Sequence, residues 1–462
     1  MAERVLPAQV TVRLEPLLAR VDGLFDPSND EVVAQRKALY TFAVRVMGAA
    51  IAYIFQICLA RWLGTYEFGI FVVVWTWITL LSSLVALGMD SAVIRLIPEY
   101  DATKDRASLR GILYASRWFA MASATVLVAL AVLGIWLLGD LVTSYYAIPF
   151  YLGFACLPLL ALASVHEGIA RAYDWFDIAL IPTYIFRPVL ILLVVVGVGL
   201  TVEDRTAEWA MTAAIVGTWI VSIGQMLLIN HRIAKDLEPG PRTYSFGKWL
   251  KISLPIVFID GFFVFLTSTD VLVASQFVEP SEVAVYHAAI KTLAIAHFVY
   301  FAIRAVSAHR FSRLYHSGDH AGLAAYSAKT VRWCFWPTLL LCALMLLTGE
   351  FLLMLFGSEF TAGYPLLFIL VIGILARSSI GPAESLLTMS GHQNACAVIY
   401  GTTFFLNLGL NYLLIWQFGL VGAAIATSTS LIFETALIYF VIRRRLGVSS
   451  FILVPPPDKA GP

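Results

Sequence analysis

Four basic residues interrupt otherwise apolar stretches of this 462-residue chain: Arg45, Arg187, Lys291 and Arg377. A charge at mid-membrane costs about 2.5–3.5 kcal/mol to insert, so such residues belong beside a polar cavity or a counter-charge. The planar fork of arginine suits a phosphate, to which it offers paired, charge-assisted hydrogen bonds. Arg45, Arg187 and Arg377 lie about 13–15 residues from the same end of their apolar stretches, which is one depth at about 1.5 Å per residue. That common depth lets them converge on one anion site. Arg187 precedes Pro188, which bends a helix and exposes nearby carbonyls. Internal ion pairing is the open alternative, because acids occur at comparable depths. Asp270 and Lys291 lie 11 and 10 residues either side of position 281, which predicts contact between them. Asp260 and Arg304 match in the same way, and Glu434 matches Arg377. Any of these carboxylates left unpaired could instead carry a coupling proton.

The elements that position these charges follow from composition. Sixty per cent of the residues are hydrophobic and 13% are charged, against about 45–50% and about 25% in a typical soluble domain. Mean hydropathy is +0.83. Long apolar runs alternate with short polar clusters, which excludes a soluble enzyme, a nucleic-acid-binding domain and a disulfide scaffold. The runs are continuous rather than alternating, which excludes a β-barrel. An all-α polytopic membrane protein remains. Twelve spans of about 20 residues or more are visible: 39–60, 69–90, 111–138, 148–169, 178–200, 208–230, 252–277, 284–306, 331–356, 364–386, 396–416 and 420–442.

Lys and Arg set the orientation. The N-terminus, the C-terminus and the five alternate loops hold 22 of the 31, the opposite loops hold Arg61 and Arg205, and seven fall within spans. Both termini are therefore expected in the cytoplasm, with inner loops of up to about 24 residues and short outer loops. The organisation reads as a cytoplasmic tail 1–38, an N-lobe 39–230, a linker 231–251, a C-lobe 252–442 and a tail 443–462. Leu14, Leu17, Leu18, Val21 and Phe25 suggest a short amphipathic helix on the inner leaflet. No cleavable signal peptide is evident. Cys58, Cys156, Cys334, Cys342 and Cys396 all fall inside spans and read as small hydrophobes. Among the histidines, His166, His287 and His297 read as packing residues. No zinc motif, phosphate loop or nucleophile motif stands out, so no cofactor is expected.

The two halves echo each other. Glu67 pairs with Glu282 at an offset of 215, Glu167 with Glu384 at 217, and MTAAIVG (211–217) with VGAAIAT (421–427) at 210. Six spans is an even number, so both halves enter the membrane from the same side. The expectation is a parallel repeat of two six-helix lobes facing each other across a cavity.

LARWLGTYEFGIF (59–71), ALGMDSAVIRLIPEY (86–100) and FGLVGAAIAT (418–427) resemble the motifs of polysaccharide-biosynthesis membrane proteins. These are the oligosaccharide-lipid flippases of the multidrug/oligosaccharidyl-lipid/polysaccharide exporter superfamily. The resemblance runs through residues 39–442. It implies a V-shaped pair of six-helix bundles in the bacterial inner membrane. It also implies alternating-access export of an undecaprenyl-pyrophosphate-linked oligosaccharide for cell-surface polysaccharide, driven by protons or sodium. Glycosyltransferases and a polymerase would be the partners, and nucleic acid would not. Arg45, Arg187, Lys291 and Arg377 would then hold the pyrophosphate. Lipid II flippases typically carry two further helices, which this chain lacks. A multidrug exporter of the same superfamily is the nearest alternative, although it calls for an acidic cavity. A membrane glycosyltransferase or polymerase would need larger outer loops or acidic clusters, and a scaffold would use the basic inner loops.

Overall fold

The computed structural model describes residues 30–137, 144–199 and 205–454, with side chains from residue 40 onward except at a few positions inside helices, Asp260 among them. The amphipathic N-terminal segment lies outside the described residues. Among those described there is helix and no strand, as a bilayer requires of a chain that satisfies its own backbone.

Among the described residues, eight helical stretches are long and apolar enough to cross a membrane, or nine counting a pair bent by 43°. Two of them are too long to be one span. Asp30–Val85 has 56 residues, about 84 Å at 1.5 Å per residue, against an apolar core of about 30 Å. It breaks at Gly64, with φ 76°. Gln393–Leu446 breaks at Gly419, with φ 56°. Both angles are left-handed, a conformation glycine adopts without a steric penalty. The arms are α1 (30–63), α2 (65–85, continued by Met89–Ala102), α11 (393–418) and α12 (420–446). Between them run α3 (Arg106–Leu137), α4 (Ser144–Phe154 with Leu157–Ala172), α5 (Phe176–Ile181 through Arg187–Gly199) and α6 (Ala207–Asp236). The second half holds α7 (Phe246–Leu266 with Thr269–Ala274), α8 (Pro280–Leu293 through His297–His316), α9 (His320–Met354) and α10 (Tyr364–Ser378 with Ala383–Met389). Splitting the two long stretches and adding α7 gives twelve helices among the described residues, α1–α6 in one lobe and α7–α12 in the other.

The helices outrun the apolar windows. The connection expected over 307–330 shrinks to 317–319, because α8 reaches His316 and α9 starts at His320. Apolarity marks lipid thickness, whereas polar residues such as Lys, Arg and Glu extend a helix into water at little cost. Local signals fix the ends. Glu279 and Glu282 form a capping box with Pro280 in the first turn of α8. Asp105 accepts from the Ser108 amide at 3.0 Å at the start of α3, and that bond holds its carboxyl below the usual range.

At one face of the molecule, called here the basic face, Arg110 bonds to the Glu238 carbonyl, Arg232 to Asp177 and Lys248 to Glu99. At the far face the lobes touch. Phe68 packs edge-on to Phe360, Thr65 donates to Glu359 at 2.7 Å, and Arg61 donates to the Leu355 and Met354 carbonyls. The deepest cross-lobe bond joins Tyr53 and Thr292 at 3.0 Å. Below it, Arg45 and Met47 on α1 and Phe301 and Arg304 on α8 are exposed. Charges at that depth call for water or a polar partner rather than lipid. Lys248–Glu99 at 2.8 Å and Trp249–Tyr100 at 3.0 Å keep the start of α7 on the N-lobe.

Candidate functional site

Two charge clusters are built into the lobes. In the C-lobe, Arg377 ends the first arm of α10, and the chain then breaks at Gly381–Pro382. The break folds Glu384 back onto Arg377, and the two carry an ion pair. The other nitrogen of Arg377, Nη1, lies 3.1 Å from Glu434 Oε1 on α12. Arg304 on α8 reaches the second oxygen of Glu384 at 2.8 Å. Tyr400 donates to Glu384, and Arg377 donates to the Tyr300 hydroxyl at 3.4 Å. Glu384 is 8% exposed and Arg377 11%, so each group depends on its partners rather than on water.

In the N-lobe, Glu167 pairs with Arg171 one turn along α4. The Arg45 guanidinium lies 5.8 Å from the Tyr184 ring centroid. Arg45 and Arg187 both act on Glu167 through space without an ion-pair contact. Arg187 keeps a buried Nε with no hydrogen-bond partner. Its position follows from the backbone of α5. Pro182–Phe186 is a single π-turn between two α-helical segments, and the prolines at 182 and 188 remove two amide donors. Arg45 shares a helical stripe with Ala49, Tyr53 and Gln56, and Tyr53 on that stripe meets the C-lobe.

The expected charges therefore separate. Arg45 and Arg187 come together, whereas Arg377 is taken by Glu384 and Glu434. Arg377, expected beside the other two arginines, is instead taken up by two buried carboxylates. The Arg377–Glu434 pairing expected from depth is present. Asp270 and Lys291 do not form an ion pair. Asp270 accepts instead from Tyr286 at 3.0 Å and from its neighbour's amide at 2.9 Å. The break in α7 at 267–268 turns its carboxylate away from the straight-hairpin register. Lys291 is part-buried with its charge felt by Asp270 only at longer range. Arg304 pairs with Glu384, and the side chain of Asp260 lies outside those described. His287 packs edge-on to Phe68.

Sequence reasoning passed over Glu167, Glu384, Tyr184 and Tyr400 as site residues, although the repeat had marked both glutamates. It also passed over a buried seam of neutral oxygens, where Asn407 donates to Ser430 at 3.1 Å and Asn411 to Asn407. Among the described residues no three His, Cys, Asp or Glu side chains cluster as a metal site.

A two-lobed, twelve-helix bundle with a charge cluster buried in each lobe fits the frame of a transporter. The sequence model of the "polysaccharide biosynthesis protein" family matches residues 34–314, more than half of the chain. The chain belongs to that family. The MatE family model matches residues 255–413. No curated protein sequence matches. Among solved structures, the fold resembles an inward-facing multidrug resistance MATE transporter of the MOP superfamily, at 14% identity and TM-score 0.71, covering 88% of this chain and 98% of that one. It resembles the lipid II flippase MurJ, in an inward closed conformation, at 12% identity and TM-score 0.69, covering 88% and 87%. An outward-facing MATE transporter gives 13% identity and TM-score 0.61, covering 89% and 95%. This family member is thus a multi-pass membrane protein with the fold of MOP-superfamily transporters.

Proposed function

We propose that this protein is a flippase that moves an oligosaccharide linked to undecaprenyl pyrophosphate across the bacterial inner membrane by alternating access. The observation that carries this reading is the charge balance of the N-lobe cluster. Arg45, Arg171 and Arg187 all act on Glu167, and of the three only Arg171 is in ion-pair contact with it. Arg45 and Arg187 would then be available to a ligand in the cleft. A pyrophosphate carries at least two negative charges, and guanidinium groups replace its hydration with charge-assisted bonds. Lys291, on the opposite wall, would meet the same headgroup from the C-lobe. Asp270, Asp260 and Glu434 are the carboxylates through which a proton or sodium gradient could act. The basic face is cytoplasmic by its Lys and Arg excess, so the cleft in this structure would load from the inner leaflet. Glycosyltransferases would supply the substrate there, and a polymerase would use it outside.

A second reading, export of cationic drugs, is favoured by the MatE match over residues 255–413 and by the likeness to a MATE transporter. The surplus of positive charge in the cleft argues against it. The test is a deletion strain scored for surface polysaccharide and for accumulated lipid-linked intermediate, complemented by the native protein or by Arg187→Ala. Restoration by the native protein alone, with both proteins present at equal level in the membrane, is the expected result. Full polysaccharide in the deletion strain, together with a new sensitivity to cationic drugs, would select the second reading.

A further inference from the structure

A second basic cavity lies away from the interlobe cleft. It has a volume of about 540 Å³ and sits at the basic face between α3, α6 and the segment 237–242 that leads toward the C-lobe. Arg110, Arg117 and Arg242 line it, with Glu238 as the one acid. Each arginine is held in a different way. Arg110 donates through Nε to the Glu238 carbonyl at 2.7 Å, which leaves its terminal nitrogens uncommitted. Arg117 donates through Nη1 to Asn230 at 2.5 Å, while its Nε and Nη2 are buried without a partner. The Arg242 guanidinium stacks on the Tyr114 ring at 4.1 Å.

Three guanidinium groups line a space with one acid, Glu238, so the cavity favours an anionic occupant. The surroundings indicate its chemistry. One turn deeper toward the membrane centre, Trp118 is 59% exposed and Leu227 equally so, and the Trp118 ring lies 6.1 Å from Tyr114. An acidic group at the arginines would thus sit directly above an apolar surface at the depth of acyl chains. Basic pockets between spans near the cytoplasmic surface suit anionic lipid headgroups in this way.

We propose that this cavity binds the phosphate of an anionic phospholipid, with the headgroup on Arg110, Arg117 and Arg242 and the acyl chains along Trp118 and Leu227. The bound lipid ties α3 and α6 of the N-lobe to the connection between the lobes. That connection is already docked: the Thr243 amide donates to the Ala107 carbonyl at 3.1 Å, and a Cβ at Gly111 would meet the Thr243 carbonyl at 1.9 Å. The same arginines could hold a free phosphate ester, and the test separates the two sources. The site shares no residue with the proposed flippase cluster, so it stands or falls independently of that reading.

The experiment is native mass spectrometry of the purified full chain titrated with dioleoylphosphatidylglycerol, with dioleoylphosphatidylcholine and with inorganic phosphate. The expected result is retention of phosphatidylglycerol over phosphatidylcholine. Retention should fall at least tenfold in the double variant Arg110→Gln/Arg242→Gln, whose altered side chains do not fill the protein interior. Adding Arg117→Gln should deepen the loss. Two controls fix the location: Arg443→Gln/Arg444→Gln/Arg445→Gln, on a basic cluster elsewhere, and Lys329→Gln, on α9, should both retain the lipid. Equal loss in the first control would reduce the effect to surface charge and overturn the site. Unchanged retention in the double variant would overturn it as well. Retention of inorganic phosphate without selective retention of phosphatidylglycerol would assign the cavity to a free phosphate ester and overturn the lipid reading.

Discussion

Glu167 in the N-lobe and Glu384 in the C-lobe stand at matching points of the repeat, 217 residues apart, and their surroundings differ in one respect. Glu384 is embedded in a closed network. Two arginines and Tyr400 bond to it, and Glu434 supplies a second carboxylate, so two positive and two negative charges balance. Glu167 holds one arginine, Arg171, while Arg45 and Arg187 act on it without ion-pair contact. The backbone differs in the same sense. The N-lobe cluster includes a π-turn in α5, a feature often found at functional sites. Of the breaks at the C-lobe cluster, the one in α10 serves to close an ion pair. One copy of the duplicated carboxylate is thus committed to holding its lobe together, and the other leaves charge available to a ligand.

The largest effect should come from breaking the balanced cluster. Glu384→Gln leaves Arg377 buried with one counter-charge and Arg304 with none. Removing one partner of a buried pair typically costs about 3–5 kcal/mol. The corresponding Glu167→Gln should cost clearly less, because Glu167 is 17% exposed and Arg171 33%, so water screens the orphaned charge. Thermal unfolding of the two variants in one detergent measures the difference. Equal losses would mean that the lobes use their carboxylates alike.

The next effect separates binding from folding. Arg187→Ala should leave the melting temperature nearly unchanged, since its Nε has no partner to lose. Binding of a lipid-linked pyrophosphate should weaken by about 1.5–3 kcal/mol, roughly ten- to a hundredfold. Arg377→Ala should do the opposite, with a large loss of stability and of membrane-inserted protein. A lysine at 187 should restore binding only in part, because it keeps the charge and loses the planar fork. Scintillation proximity binding with a radiolabelled analogue, alongside thermal unfolding, reads both quantities.

The spans were legible because hydropathy reports lipid thickness directly, and the basic face was legible because Lys and Arg avoid the opposite connections. The Arg377–Glu434 pair was legible as well, since α10 is regular up to Arg377 and α12 is regular throughout, so residue counting keeps its register. Counting failed where helices break. Asp270 follows the break at 267–268 and turns to Tyr286 in place of Lys291. Glu384 follows the break at 381–382 and returns to Arg377, which simple spacing would leave two turns away. Period-based depth is trustworthy only along an unbroken helix, and these two acids lie just beyond a break. One signal was available: both glutamates recur at a fixed offset, and each is followed 16 or 17 residues later by a tyrosine, Tyr184 or Tyr400.

The smallest effect concerns the place where the two lobes meet. Tyr53 and Thr292 make the deepest bond across the interface, 3.0 Å long, and Thr292 also donates to the Ala288 carbonyl of its own helix. In the shared bond Tyr53 is therefore the donor, and the threonine oxygen accepts. Tyr53→Phe removes that donor and keeps the ring, which packs edge-on to Phe356 at 5.4 Å. The threonine retains its bond to Ala288, so no buried donor is orphaned. The loss is then the net value of one hydrogen bond, about 0.5–1.5 kcal/mol. The bond exists only while the far face is closed, so its loss should shift the population toward the open far face by about two- to tenfold. Double electron–electron resonance between spin labels at 66 and 282, on opposite lobes at the far face, would report this as a larger long-distance fraction. Thr292→Val should give a shift of the same sign, and the double variant should add little to either. An unchanged distance distribution in all three would show that the aromatic packing around Phe68 and Phe360 holds the lobes closed without help from this bond.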